Sequence, residues 1–186
     1  MIFTFHDDDA LKLNMSECVT DMIDTFSEKF KFNQTAKTPA SDDLFKPSTG
    51  RFLSLQEADL FHATTTKGLH IFKRAGPDIQ TAIAVLTTRV SKPQYSDWLK
   101  LRRLTLHLND ARDLTLTLSL KDGINCIKWY VDAAFAVHSD FESHTGATVS
   151  LDDGSPISVS RKQKLNTESF TIAEPVGVDD AVVVIL

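Results

Sequence analysis

Recurring apolar positions divide the chain into a helical first part and a mixed second part. Between residues 16 and 110, apolar residues repeat at three- and four-residue steps in four segments, which predicts four helices. Ser54 and Glu57 have the spacing of a capping box and mark one helix start. Pro77 suits the first turn of the next helix, because its missing N–H has no partner there. Residues 31–53 are polar and proline-containing, and they predict a connector.

The period changes from residue 113 onward. The run "DLTLTLSL" alternates strictly, which predicts a half-buried strand. The next run, "INCIKWYVDA", is apolar on nearly both faces and predicts a central strand. A hairpin around "DDGS" and a final helix with a defect at Pro175 follow. At the start of the chain, "MIFTF" and "LKLNM" predict two strands joined by the polar turn "HDDDA".

These elements predict an α+β fold with two domains, 1–112 and 113–186. The 186 residues contain 42% hydrophobic and 24% charged side chains, which suffices for an ordinary core. The formal net charge of −5 argues against a surface that is basic throughout, although local basic patches stay possible.

Cysteine usage and apolar run lengths bear on the compartment. Cys18 and Cys126 form no CxxC motif and no disulfide framework, so we expect an intracellular protein, cytoplasmic or nuclear rather than secreted. The first residues lack the pattern of a signal peptide. No apolar run approaches the ~20 residues of a membrane span, so no membrane partner is expected.

Two carboxylates stand at unusual places. Asp132 closes the apolar strand, where the alternative is a strand-end residue that faces water. Glu174 falls on the helical stripe Phe170, Glu174, Val178, Ala181 and Ile185, where the alternative is a residue at the rim of the packed face. If the two converge, they offer the oxygen ligands that Mg²⁺ prefers. Two such ions about 3.5–4 Å apart can clamp an in-line phosphodiester cleavage.

Basic residues cluster on the fourth helix and before the last one. Such clusters are often simply solvated faces, but together with paired carboxylates they fit contacts to a nucleic-acid backbone. The candidates are Lys100, Arg102, Arg103, Arg161, Lys162 and Lys164. His138 and His144 are interpreted as loop residues, because no third ligand stands at metal spacing.

Several longer stretches resemble one family. The segments "KWYVDAAFAVHSDFESHTGATVSL", "VSRKQKLNT" and "AEPVGVDDA" resemble the start of the ribonuclease H domain of copia-type retrotransposon Pol polyproteins. The stretches "LFHATTTKGLHIFKRAGPDIQTAIAVLTTRV" and "DWLKLRRLTLHLNDARDLTLTL" are similar to the preceding reverse transcriptase thumb and connection. "MIFTF" to "ECVTDMI" resembles the strand pair and helix after the polymerase palm.

The resemblance implies roles for particular residues. Asp132 matches the family's first catalytic aspartate, and Glu174 matches a glutamate of its "STEAE" helix; in the family these bind magnesium with two later aspartates. Residues 143–146 match the "SHTG" turn, which we interpret as positioning the second strand. Two departures stand out: Ile172 replaces a carboxylate, and Pro175 leaves open whether the helix contains Glu174 or begins after it.

The resemblance implies a partial ribonuclease H-like sheet after a thumb- and connection-like half. This sheet would be an incomplete antiparallel β-meander that is followed by a helix. The parent activities would be RNA-directed DNA synthesis and cleavage of RNA in RNA–DNA hybrids, with template–primer or hybrid as partner. Because the polymerase aspartates and two ribonuclease aspartates are missing, we expect this chain to be inactive alone, with weak or no Mg²⁺ binding. The alternatives are a non-catalytic hybrid-binding module and a decayed element without function.

Overall fold

The computed structural model of the chain confirms the α+β class. It describes residues 1–6, 10–27, 34–121, 123 and 126–185, so the aspartates of "HDDDA" and the expected strand start at residue 124 lie outside the described residues. The helices are α1 (Ser16–Ser27), α2 (Leu55–Phe72), α3 (Gln80–Thr87), α4 (Tyr95–Asp110) and α5 (Phe170–Ile185). The strands are β1 (Ile2–Phe5), β2 (Leu11–Asn14), β3 (Thr115–Leu118), β4 (Lys128–Ala134), β5 (His144–Leu151) and β6 (Gly154–Lys162).

Local signals set the helix starts. The Ser54 side chain accepts a hydrogen bond from the Glu57 N–H, and the Glu57 carboxylate accepts one from the Ser54 N–H, so the expected capping box begins α2. Pro77 opens a short 3-10 turn, Pro77–Ile79, that leads into α3. At α1, the side-chain oxygen of Asn14 accepts hydrogen bonds from the Ser16 N–H and the Ser16 hydroxyl.

The chain divides into two compact units. The first comprises Met1–Thr4 and Leu13–Leu116, and the second comprises Phe5–Lys12 and Thr117–Leu186. The boundary after Leu116 lies near the expected one at residue 112, while Phe5–Lys12 groups with the second unit.

The first unit has a helical core. Apolar faces of α1, α2, α3 and α4 meet there, and the Phe26 and Trp98 rings pack with centroids 4.9 Å apart. α2 and α3 approach closely at Gly68, where an added Cβ would lie 2.3 Å from the Ile83 side chain.

The described residues form two antiparallel three-stranded sheets, in the orders β1–β2–β3 and β4–β5–β6. The order of the second sheet corrects one expectation, because β4 is an edge strand and β5 is the central one. The apolar run of β4 predicted a strand buried on both faces, but one face is open. Tyr130 is 57% exposed, whereas Ala133 on the other face is buried.

α5 covers one face of the second sheet with its smallest residues. Ala173, Gly177 and Ala181 are buried, at four-residue steps. An added Cβ on Gly177 would lie 3.5 Å from the Ala133 Cβ, so the helix backbone comes close to the strand. The expected stripe is therefore wrong at Phe170 and Val178, which are 57% and 50% exposed, whereas Ala181 of the same stripe is buried as expected. Large residues point outward because the small ones permit the close approach.

Pro175 lies inside α5. The helix begins at Phe170, and the Ser169 side chain accepts a hydrogen bond from the Ile172 N–H. Of the two alternatives that the sequence left open, the structure therefore has Glu174 within the helix, immediately before an interior proline.

Candidate metal centre and nucleic-acid interface

Asp132 lies on the open face of the second sheet. Along β4 side chains alternate between faces, and Ala133 faces α5. Asp132 therefore faces the other side, opposite Gly146 of β5, and its side chain is exposed. This matches the alternative interpretation of a strand-end carboxylate in water.

Glu174 lies on α5 and is half-buried beside the packed residue Ala173. α5 packs on the face of β4 that bears Ala133, whereas Asp132 alternates to the other face of the strand. Among the residues described, no group of three histidine, cysteine or carboxylate side chains could hold a metal ion. Asp132 and Glu174 alone supply too few carboxylates for a two-magnesium centre.

A polar network fixes α5 on the sheet. The Ala173 carbonyl can only accept, so the Gln163 amide nitrogen must face it, at 2.9 Å. The same nitrogen donates to Thr145 Oγ1 at 3.1 Å, and that hydroxyl donates to Asp180 Oδ2 at 3.0 Å. Arg161 completes the chain by donating to Asp180 Oδ1 at 2.9 Å. The network joins β5, β6 and α5 and assigns Arg161 a structural contact.

Polar residues of α4 bind the connector. Asp97 accepts a hydrogen bond from the Ser48 hydroxyl at 2.9 Å, and the Lys100 ammonium donates to the carbonyls of Leu44 and Lys46 at 3.2 and 3.1 Å. One turn further on, Arg103 donates to Thr38 Oγ1 at 2.8 Å. Residues 38–48 thus run antiparallel to α4 along one stripe of the helix.

Lys100 is buried and does not belong to the basic surface of α4. Its side chain lies inside the first unit, and the residue is only 9% exposed. Burial lowers the pKa of Lys100, and the carboxylates of Asp97 and Asp43 act in the opposite direction. Arg102 also reaches the connector, at Gln34. All three basic residues of α4 therefore contact the connector, but only Lys100 is buried, while Arg102 and Arg103 are half-exposed.

The basic run before α5 is largely matched by carboxylates. Lys162 forms ion pairs with Asp140 and Glu142, and these hydrogen bonds raise the pKa of its ammonium. Arg161 pairs with Asp180, whereas Lys164 is exposed. Neutralised cations attract a phosphate backbone less than unpaired ones do.

Two histidines that the sequence left as loop residues meet in the second unit. His138 Nε2 and His144 Nδ1 lie 3.1 Å apart, and His144 Nε2 lies 2.8 Å from Ser160 Oγ. Burial, and then the neighbouring His138, lowers the pKa of His144 to about 4. His144 is thus neutral at pH 7.

Comparison with known proteins adds no relative. No protein-family model, curated protein or solved structure matches this chain. Within the described ranges, no helix combines the length and apolar character needed to cross a membrane.

Sequence reasoning missed the histidine pair and the Gln163 network. Alternation along β5 and β6 does place His144 and Ser160 on one face of a hairpin, which was the available signal. The position of His138 depends on the path of a loop, and no local pattern encodes that path.

Proposed function

We propose that this chain is a fragment of a copia-type retrotransposon Pol polyprotein and is catalytically inactive on its own. The helical unit would correspond to the reverse transcriptase thumb and connection. The second unit would correspond to the first part of a ribonuclease H-like domain.

One observation carries the proposal. Three antiparallel strands, β4, β5 and β6, are followed by a helix that packs on them, in the element order that the sequence resemblance implies. Asp132 stands near the end of the first of these strands, and Glu174 stands in the helix. These are the elements on which the resemblance places the family's first two carboxylates.

Inactivity follows from ligand number and direction. Cleavage by two magnesium ions needs several carboxylates around one point, since each ion takes oxygen ligands. Asp132 faces away from α5, which bears Glu174, and the part of the chain described here contains no three-ligand group. With only Asp132 and Glu174, the proposed fragment has too few carboxylates to hold the metal pair.

The structure favours this proposal over a hybrid-binding module. Lys100 is buried, Arg103 is engaged with the connector, and Lys162 is paired with two carboxylates. A module that binds hybrid through these groups would need them to exchange their present partners for phosphates.

The reading frame on either side of this chain tests the ancestry. We expect coding sequence for paired palm aspartates upstream and for two further carboxylate-bearing segments downstream, either intact or interrupted by stop codons. An intact frame would indicate a piece of an enzyme, and an interrupted one would indicate a relic. Flanking sequence that encodes unrelated domains would contradict the proposal.

A further inference from the structure

The loop between β4 and β5 brings His138 back against His144, the first residue of β5. The imidazole centroids lie 5.3 Å apart with the rings tilted by 40°. The facing nitrogens, Nε2 of His138 and Nδ1 of His144, are 3.1 Å apart. Neither histidine belongs to the carboxylate pair Asp132 and Glu174.

We propose that His138 and His144 form a two-histidine site for a late first-row divalent cation such as Zn²⁺ or Cu²⁺. Metal–nitrogen bonds of about 2.0–2.1 Å to nitrogens at the observed spacing give an N–metal–N angle of about 100°. That angle lies between the octahedral and tetrahedral values. A centroid separation of 5.3 Å with the nitrogens 3.1 Å apart places the rings nearly head-on, so each ring must turn by some tens of degrees to aim its lone pair at the ion.

Proton positions are compatible with such a site. His144 Nε2–H can donate to Ser160 Oγ, which leaves Nδ1 as a lone pair toward His138. His138 then supplies the proton between the rings from Nε2. On metal binding that proton moves from Nε2 to Nδ1 of His138. Both imidazole rings then stay neutral, and each presents a nitrogen lone pair to the ion. Ser160 acts as the partner that orients His144, as outer hydrogen bonds do at known metal sites.

The loop that carries His138 is firmly held. Ala136 and Phe141 adopt positive φ angles of 52° and 64°, which non-glycine residues rarely do. The Ser143 hydroxyl accepts from the Ala136 N–H at 3.2 Å, and the Lys162 ammonium binds Glu142 at 2.6 Å. Such backbone strain persists only where the surroundings over-determine it, and it concentrates at functional sites.

Ligand chemistry selects the class of ion. Imidazole nitrogen favours Zn²⁺, Cu²⁺ and Ni²⁺ over Mg²⁺, and Cu²⁺ binds most tightly in this series. Next to the histidine pair, the carboxylates of Asp140 and Glu142 form ion pairs with the Lys162 ammonium. Since the described residues hold no three-ligand group, solvent would complete the coordination and leave exchangeable positions on the metal.

Calorimetric titration of the chelator-treated, desalted 186-residue chain with Zn²⁺ chloride tests the site. We expect one Zn²⁺ per chain for the unaltered protein and for His62→Gln, a control at an exposed histidine of α2. His138→Gln is expected to weaken this binding at least tenfold, while Mg²⁺ gives no comparable signal.

Imidazole ¹⁵N spectra make the test independent of any folding defect in a variant. In the unaltered protein, Zn²⁺ should shift His138 Nε2 and His144 Nδ1 together, at the same ion concentration. Equal Zn²⁺ affinity of the unaltered protein and His138→Gln would overturn the proposal. So would unshifted His138 and His144 resonances at saturating Zn²⁺.

Discussion

At the residue scale, Glu57 combines two contacts at the start of α2. Its carboxylate accepts from the Ser54 N–H at 2.8 Å and pairs with Arg51 in a two-point contact, with both N···O distances at 2.8 Å. The hydrogen bond from Arg51, followed by that from the Ser54 backbone, lowers the pKa of Glu57 to about 2. The ionised carboxylate is therefore the form that the folded chain stabilises.

Stability of the helical unit should depend on Glu57 in a defined pH range. A lowered pKa gives a contribution that is complete above the unfolded value, near 4.5, and lost as pH falls to about 2. We expect Glu57→Gln to cost about 1 kcal/mol at pH 7 and progressively less below pH 4.5. Urea unfolding followed by Trp98 fluorescence in a Trp129→Phe background measures this. An equal cost at pH 7 and pH 3 would contradict it, and Glu17→Gln is the exposed control.

Lys100 distinguishes a packing role from a nucleic-acid role. Replacing it with methionine keeps the length of the side chain but leaves the Leu44 and Lys46 carbonyls without this donor. We expect a loss of about 1–3 kcal/mol. Lys164→Met, at an exposed position, should change stability by less than about 0.5 kcal/mol. Thermal or urea unfolding of both variants gives the comparison, and unchanged stability of Lys100→Met would refute the packing role.

At the element scale, the sequence predicted where helices begin and how their apolar residues repeat. It predicted less well which face of a helix or strand is buried. Ser54 and Glu57 were readable because a capping box is local. The packed face of α5 could not be predicted in this way, because it depends on how closely the helix at Gly177 can approach Ala133 of β4. Whether a strand is central or at an edge likewise depends on which segments pair beside it. The apolar composition of β4 therefore could not reveal its open face.

Two glycines should respond oppositely to alanine. At Gly154 an added Cβ would lie 2.0 Å from the Thr117 carbonyl oxygen, a backbone atom that cannot move aside cheaply. At Gly177 the nearest atom would be at 3.5 Å, an ordinary contact within a helix. We expect Gly154→Ala to cost about 3 kcal/mol and Gly177→Ala to gain about 0.5–1 kcal/mol. Hydrogen exchange of β5 and α5 amides measures both. A loss for Gly177→Ala as large as that for Gly154→Ala would disprove the packing described for α5.

At the scale of the whole molecule, the basic side chains considered as nucleic-acid contacts mainly interact with groups of their own unit. The formal net charge is −5, and most candidate basic contacts have partners in the connector or on nearby carboxylates. The sequence could supply the positions of Lys100, Arg103 and Lys162 but not these partners, which come from distant parts of the chain. Asp132 shows the same limit, because its identity suggests a ligand while its direction depends on the sheet and on α5.

Cleavage of a labelled RNA–DNA hybrid is the most direct test of the proposed inactive fragment. The purified chain, Asp132→Asn and the control Asp179→Asn would be assayed side by side with Mg²⁺ and with Mn²⁺. Because Asp132 faces away from α5, which bears Glu174, we expect no cleavage above background for the chain or for either variant. Turnover by the unaltered chain and by Asp179→Asn, abolished in Asp132→Asn, would contradict the account.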